Sequence, residues 1–269
     1  MRSTAPLLAS ILALSPLCPQ PSLAASASAE LQKALNSAPE ESNRLTAFSK
    51  LEAAGTLDAQ QIIRSITDTS PLVRAQALRV GTALAVQDPE LELRLLALAH
   101  DRSAPVRLQL LSSLPKLPNP KSNVLFLQVL SAEIENPAAW PIAIASLKDN
   151  LWPTLLKLHT EPSWKKDSIG RSRFLELATN SLRESGSIET ISAIFDFCAD
   201  STPPDQRWFR LALLRGLLGR TPAPKEPVPK TVHLDSIPPS LQTLLSSKDS
   251  DIRKILTAPE GLILWPSSQ

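Results

Sequence analysis

The chain has 269 residues, 43% of them hydrophobic, which is enough for a sizeable core in one extended domain or two small ones. Its 28 lysines and arginines are nearly balanced by 26 aspartates and glutamates, and a net charge of +2 argues against the broad positive field that draws in nucleic acid. Aromatic residues make up only 4%, and the abundance of leucine and alanine favours packed helices over sheets.

The first residues are typical of an export signal. Arg2 supplies a positive charge, residues 7–17 form an apolar stretch, and residues 22–24, Ser-Leu-Ala, match a cleavage site between small residues. We therefore predict that residues 1–24 are a signal peptide, cleaved near Ala24, and that the mature chain works in the periplasm or outside the cell. No other stretch has the roughly 20 apolar residues that a membrane helix needs, so no membrane span is predicted.

Helical patterning follows a predicted mobile leader over residues 25–29. The pattern begins near Glu30 and returns with three apolar residues on one helix face: Leu45, Phe48 and Leu51. Gly55 ends this run, since glycine is the favoured residue just after a helix. Residues 57–66 then form another short predicted helix.

One helix pattern next occurs three times at an interval of 33 residues. The first two copies share an aspartate, a proline in the first turn, a Val-Arg pair and two apolar residues: Asp68, Pro71, Val73, Arg74, Ala77 and Leu78, then Asp101, Pro105, Val106, Arg107, Leu110 and Leu111. A degraded third copy has Trp140 in the position of the arginines. A second amphipathic helix follows each copy, and a repeat of this length predicts a solenoid of stacked helix pairs.

These residues resemble HEAT repeats, whose second helix carries a Val-Arg pair before two apolar residues. More narrowly, residues 68–158 resemble the HEAT segment of large exported bacterial proteins, in which a sugar-dehydrogenase-like β-propeller precedes it and a c-type haem domain follows. The resemblance implies an all-α, HEAT-like right-handed α-solenoid, an armadillo-type superhelix, over residues 25–219. The chain has no Cys-x-x-Cys-His motif, so the haem site of those larger proteins does not carry over.

After the third copy the period blurs. We predict three more amphipathic helices, over residues 173–182, 188–197 and 208–218, and then an extended Pro-rich linker over residues 220–239. Residues 240–269 are predicted to form a partial C-terminal repeat or tail. Its exposed edge is a candidate for self-association.

Six residues are candidates for binding a partner: Arg74, Arg107, Trp140, Trp164, Lys165 and Lys166. Two interpretations of the arginines stay open. Either they form a ladder in which each one bonds an aspartate of its own or the adjacent repeat, or they form a basic stripe for an acidic ligand. The lysines belong to a solvated loop or to a partner contact, and the tryptophans pack in the core or stack against a sugar or peptide.

The sequence has few residues suited to catalysis or metal binding. His100, His159 and His233 lack the spacing of zinc ligands, and the Ser-x-x-Lys patterns that begin at Ser113 and Ser163 lack the companion motifs of penicillin-interacting enzymes. We therefore predict no cofactor and no metal, and a non-catalytic exported HEAT-repeat scaffold that binds a protein partner in the cell envelope. The alternative is an accessory subunit of a periplasmic redox or sugar-processing assembly, or a helical envelope enzyme.

Overall fold

A computed structural model describes residues 21–200, 206–218, 231–257 and 263–266, and this part of the chain is mostly helical. The predicted all-α class is confirmed at that level. The chain divides into two compact units, Met1–Asp58 and Ala59–Gln269, each of which we describe by itself. Among the described residues, none of the helices combines the length and the apolar character required to span a bilayer.

In the described part of the N-terminal unit, residues 21–58, two helices pack against each other: α1 (Pro21–Ser37) and α2 (Glu41–Ala53). Phe48 and Leu51 are buried on α2, as the spacing predicts, and Gly55 has the positive φ of 65° that suits glycine after a helix. The predicted leader over residues 25–29 lies within α1, because alanine and serine alternate there and alanine has the highest helix propensity. Residues 1–20 of the predicted signal peptide lie outside the described part of the chain.

The second unit continues with helices separated by short turns. Their bounds are α3 (Ala59–Ser65), α4 (Pro71–Ala85), α5 (Pro89–Leu96), α6 (Ala104–Ser113), α7 (Lys121–Glu133), α8 (Ala139–Leu147), α9 (Leu151–Thr160), α10 (Ile169–Ser185), α11 (Ile188–Ala199), α12 (Arg207–Leu217), α13 (Pro239–Leu245) and α14 (Ser250–Leu256). Short 3₁₀ helices extend or precede some of them: Ala97–His100, Leu114–Lys116, Lys148–Asn150 and Pro162–Trp164.

The helices pack in sequence order. Each helix of an even series, α4, α6, α8, α10, α12 and α14, contacts the next member of that series. The helices of the odd series, α3, α5, α7, α9, α11 and α13, each contact at least one even helix that is next to them in sequence. The core therefore runs along the unit between the two series, filled by side chains such as Leu78, Leu110, Leu155 and Phe195, all of which are fully buried.

The helix starts follow from the sequence. The Ser70 hydroxyl accepts hydrogen bonds from the backbone N–H groups of Leu72 and Val73, and Asp88 caps α5 in the same way. Pro71 and Pro89 occupy the first helical positions, where no intrahelical N–H bond is lost. A serine or aspartate followed by proline predicts helix starts at Pro71 and Pro89, and both predicted starts are confirmed.

The helical spacing of Val73, Ala77, Val80 and Leu84 predicts one apolar stripe on α4, and this prediction is wrong at its end. Leu84 is 37% exposed. The buried residues there are Gly81, Thr82 and Ala85. Small side chains bring α4 close to α3 and α5, since a Cβ atom at Gly81 would lie only 2.7 Å from Ile62 Cγ2.

Residues 231–257 and 263–266 form packed secondary structure rather than an extended linker and a free tail. Of the predicted linker, residues 220–230 lie outside the described part of the chain. The strand β1 (Val232–His233) then pairs in parallel with β2 (Ile263–Leu264), and the Leu234 N–H donates to the Leu264 carbonyl at 2.8 Å. Val232 and Leu234 are buried. The predicted partial repeat corresponds to α13 and α14, which pack against each other.

Candidate functional site

The two recurring arginines join consecutive even helices. Arg74 on α4 forms a bidentate pair with Asp101, in the loop before α6, with both N–O distances at 2.8 Å. Its Nη1 also donates to the Asp68 carbonyl, six residues earlier, at 2.8 Å. The Arg74 and Asp101 side chains are only 15% and 8% exposed. The guanidinium therefore ties its own preceding loop to the loop of the next repeat.

Charge and hydrogen bonding hold Asp101 ionised. Burial opposes ionisation, but hydrogen bonds from Arg74 and from the Ser103 N–H, together with the nearby positive charges, outweigh it, so the pKa of Asp101 lies below its ordinary value. The hydrogen bond with Asp101 is the main reason that the pKa of Arg74 is raised. The pair is thus fully charged in any physiological solution.

Arg107 on α6 repeats this arrangement one repeat later. Its Nε donates to Glu133 Oε1 at 2.7 Å, its Nη2 pairs with the same oxygen, and its Nη1 donates to the Asp101 carbonyl, again six residues earlier. Glu133 is buried at the end of α7 and also accepts from the Asn136 side-chain amide. The arginines therefore form the ladder that one interpretation predicts, and neither guanidinium is free to act as a basic stripe.

Trp140 makes only one of the two contacts that the arginines make, the hydrogen bond to a backbone carbonyl. Its Nε1 donates to the Ile134 carbonyl at 2.7 Å, six residues earlier, which is the same register as the arginine-to-carbonyl bonds. An indole has no second donor for a carboxylate, so the link to the next repeat is missing. Arg253 on α14 also donates to a carbonyl six residues earlier, that of Ser247. The same loop geometry thus recurs in α4, α6, α8 and α14.

The three candidate residues that precede α10, Trp164, Lys165 and Lys166, differ in burial. Trp164 is fully buried, donates to the Ser131 hydroxyl at 2.8 Å and lies edge-on to Phe174. It is a core residue and cannot meet a partner. Lys165 and Lys166 are exposed. Of the six candidates, these two lysines and the half-buried Trp140 offer surface to another molecule.

Two links were missed by sequence reasoning. The buried Glu92 on α5 accepts from the Asn119 backbone N–H at 2.9 Å and from its side-chain amide at 3.3 Å. Arg207 on α12 pairs with Asp249, at 2.6 and 2.7 Å, and with Asp251 at 2.6 Å. The first link has a signal in the sequence, because Glu92 and Asn119 are 27 residues apart, as are Arg74 and Asp101. The second spans 42 residues and has no such counterpart.

Two adjacent clefts lie on the even helices, apart from a cleft of about 470 Å³ between α10 and α12 that is lined by Arg173, Glu176 and Arg215 among others. None of them was predicted. The first of the adjacent clefts, of about 630 Å³, lies between the C-terminal ends of α6 and α8 and is lined by Lys116 and Lys148 among others. The second, of about 440 Å³, lies between α8 and α10. Ala145 and Lys148 line both clefts. Lys148 has a φ of 45°, which is rare for a residue with a side chain. The sequence does not predict this conformation, because lysine has no preference for it.

Two of the remaining reactive side chains, Cys198 and His159, lie in the core or in ring contacts, whereas His100 and His233 are exposed. Cys198 is fully buried, and burial raises the pKa of its thiol to about 12, so it behaves as the small hydrophobic residue that the sequence suggests. His159 lies edge-on to the rings of Phe197 and Phe209. Within the described ranges, no three histidine, cysteine or carboxylate side chains come together in a group that could hold a metal ion.

Comparisons with protein-family models, with curated proteins and with solved structures found no match. The described residues form a largely helical protein whose helices pack in sequence order.

Proposed function

We propose that the second unit is a HEAT-like α-solenoid and that the protein is a non-catalytic, exported scaffold for a protein partner in the cell envelope. The main support is the repeated register of the loop contacts. Arg74, Arg107, Trp140 and Arg253 each donate to the carbonyl six residues earlier. A geometry that recurs at the same point of successive helix pairs is what stacked repeats need, because one pair cannot bury both of its faces alone.

The scaffold presents its even helices to the partner. The ladder fixes how α4, α6 and α8 follow one another, so side chains on their outer surface keep constant spacings. Both adjacent clefts lie on this series. The C-terminal edge is a weaker choice for a partner or a second copy, since the exposed residues of α14 are polar: Ser250, Arg253 and Lys254. Polar outer faces are typical of capping repeats.

Photocross-linking in the cell envelope tests this proposal. A photoreactive amino acid replaces Ala145, which is exposed on α8 at both clefts, and in a matched control it replaces Ala132, which is exposed on the odd helix α7. We expect a discrete protein adduct from position 145 and none from position 132. Adducts from neither position, in cells that export the folded chain, would count against a scaffold.

Export and the absence of catalysis are tested separately. We expect N-terminal sequencing of the chain recovered from the cell envelope to start at Ala25. Hydrolysis of a peptide or cell-wall substrate that disappears in Ser163→Ala would instead establish a helical enzyme. A Soret band in the freshly purified protein would favour the redox alternative.

A further inference from the structure

The two helix series differ strongly in charge. The even helices of the second unit carry eleven arginines and lysines against three carboxylates, whereas the odd helices carry four against five. Several of these cations are paired or buried: Arg74 and Arg207 bond the loop carboxylates of Asp101 and Asp249, and Arg183 is fully buried. The free positive charge beside the clefts comes instead from exposed lysines.

The two adjacent clefts that share Ala145 and Lys148 have apolar walls and a basic rim. Apolar side chains line the first cleft (Pro115, Ile142 and Leu147) and the second (Pro141, Ile144 and Leu177). Lys116 and Lys148 lie at the rim, and both are exposed. Among the described residues, neither ammonium group has a carboxylate within ion-pair distance. Asp149 is the single acid that lines the clefts, so the rim keeps a positive charge.

The backbone at Lys148 is strained at the place where the clefts meet. Lys148 directly follows the end of α8, and its φ of 45° and ψ of −118° form a conformation that glycine adopts far more readily than a residue with a side chain. A lysine there costs stability that a glycine would not, and such strain is concentrated at binding and catalytic sites. The strain and the cation coincide in one residue that lines both clefts.

We propose that these clefts bind an extended, acidic peptide segment of the partner. This proposal rests on the scaffold function proposed above. An extended chain turns alternate side chains to opposite sides. Small apolar side chains can therefore enter the clefts on either side of Ala145 while carboxylates meet Lys116 and Lys148. A nucleic acid fits less well, because phosphate recognition needs a dense array of cations, whereas these walls are mostly apolar.

A titration of the isotope-labelled mature chain with short synthetic peptides, followed by nuclear magnetic resonance at low salt, tests the proposal. The probe alternates glutamate and alanine, and the comparison peptides replace glutamate with lysine or serine. We expect the glutamate peptide alone to shift signals of residues that line the clefts, such as Ser112, Ala145 and Leu177. Lys116→Gln and Lys148→Gln should each weaken binding about fivefold, the value of one exposed ion pair.

Matched variants separate binding from folding. Lys121→Gln, at an exposed lysine on the odd helix α7, should leave the affinity unchanged. Lys148→Gly should raise the melting temperature, because the backbone strain is relieved. It should weaken peptide binding as much as Lys148→Gln does. Equal binding of all three peptides, shifts outside the clefts, or a preference for a single-stranded oligonucleotide would each overturn the proposal. If the glutamate peptide does not bind but position 145 still gives a specific cross-linked adduct, the proposal of acidic-peptide binding is overturned and the proposed scaffold function is not.

Discussion

The even helices are joined in two different ways along the second unit. From α4 to α8 the joints are made by side chains, since Arg74 and Arg107 reach a carboxylate near the next even helix. Between α10 and α12 the joint is made by backbone. A Cβ atom at Gly216 would lie 2.1 Å from the Glu176 carbonyl oxygen, so these helices touch where no side chain intervenes.

The difference explains where the sequence period holds and where it is lost. A side-chain joint fixes residue identity at the two ends of each link, and it repeats whenever the helix pair repeats. A backbone joint needs only one small residue, which can occur anywhere along the helix. The first kind leaves a pattern of 33 residues in the sequence, and the second leaves a single glycine.

The largest effect is expected from Gly216→Ala. The added Cβ meets a backbone oxygen, which has no flexible end to move aside, so α10 and α12 must separate. Overpacking of this kind costs about 1–3 kcal/mol and sometimes more, while the better helix propensity of alanine recovers about 1 kcal/mol. At a contact as short as 2.1 Å the upper end of this cost applies, so we expect a net loss of about 2 kcal/mol, measured as a lower urea midpoint by circular dichroism.

Gly81→Ala is the matched control for that prediction. Its Cβ would meet Ile62 Cγ2 at 2.7 Å, which is a side-chain methyl group and a longer contact than the 2.1 Å to backbone at Gly216, although the buried, β-branched Ile62 has little freedom to rotate. Crowding should therefore cost less than at Gly216, and after the gain in helix propensity the expected loss is about 1 kcal/mol or less. Equal destabilisation by the two substitutions would show that the α10 and α12 contact is not special.

The next effect concerns the side-chain joints. A double-mutant cycle with Arg74→Met and Asp101→Asn should give a coupling free energy of about 1–2 kcal/mol, because the pair is bidentate and mostly shielded from water. Asparagine preserves the hydrogen bond that Asp101 accepts from the Ser103 N–H. The same cycle on Glu90 and Arg94, which are 65% and 61% exposed, should give less than about 0.5 kcal/mol. A ladder coupling no larger than this exposed pair would contradict its structural role.

Much of the fold could be predicted from the sequence, because the helices depend on local signals. Serine or aspartate caps followed by proline, and apolar residues at helical spacing, placed α4 and α5 correctly. The arginine ladder was one of two open interpretations, since spacing shows that Arg74 and Arg107 recur but not what they touch. Its acceptor at the second step is Glu133 at the end of a helix rather than a loop aspartate.

The clefts could not be predicted, because they depend on the distance between helices that are far apart in sequence. Nothing in the composition of residues 112–116 or 141–150 separates a groove from a close contact. Trp164 was misplaced as a candidate for the related reason that burial is a tertiary property: its indole bonds Ser131, 33 residues earlier. The Arg207 link was missed because it crosses the segment where the period is lost.

A smaller effect is expected where the ladder is interrupted. Trp140→Phe keeps an aromatic ring but removes the Nε1 donor, so the Ile134 carbonyl loses its bond to the side chain. We expect a loss of about 1 kcal/mol, the usual net value of one hydrogen bond, measured by urea denaturation. Trp208→Phe, which removes a longer and more exposed bond of 3.3 Å to the Lys165 carbonyl, is the control and should cost less. Equal costs would show that the register of Trp140 carries no stacking role.

The smallest effect concerns acid sensitivity at the last joint, between α12 and α14. Hydrogen bonds from Arg207 lower the pKa of Asp249 to about 2, against about 3.9 in an unfolded chain. A carboxyl whose pKa is lower in the folded state stabilises it above the unfolded value, and this stabilisation is lost as the pH falls from about 4 towards 2. Asp249→Asn still accepts the capping hydrogen bonds of α14 but no longer titrates, so the urea midpoint should fall less steeply over that pH range. The Arg207 side chain is 43% exposed, and solvent screening keeps the difference small. A pH profile of Asp249→Asn as steep as that of the unmodified chain would show that the pair of Asp249 with Arg207 does not stabilise the folded state.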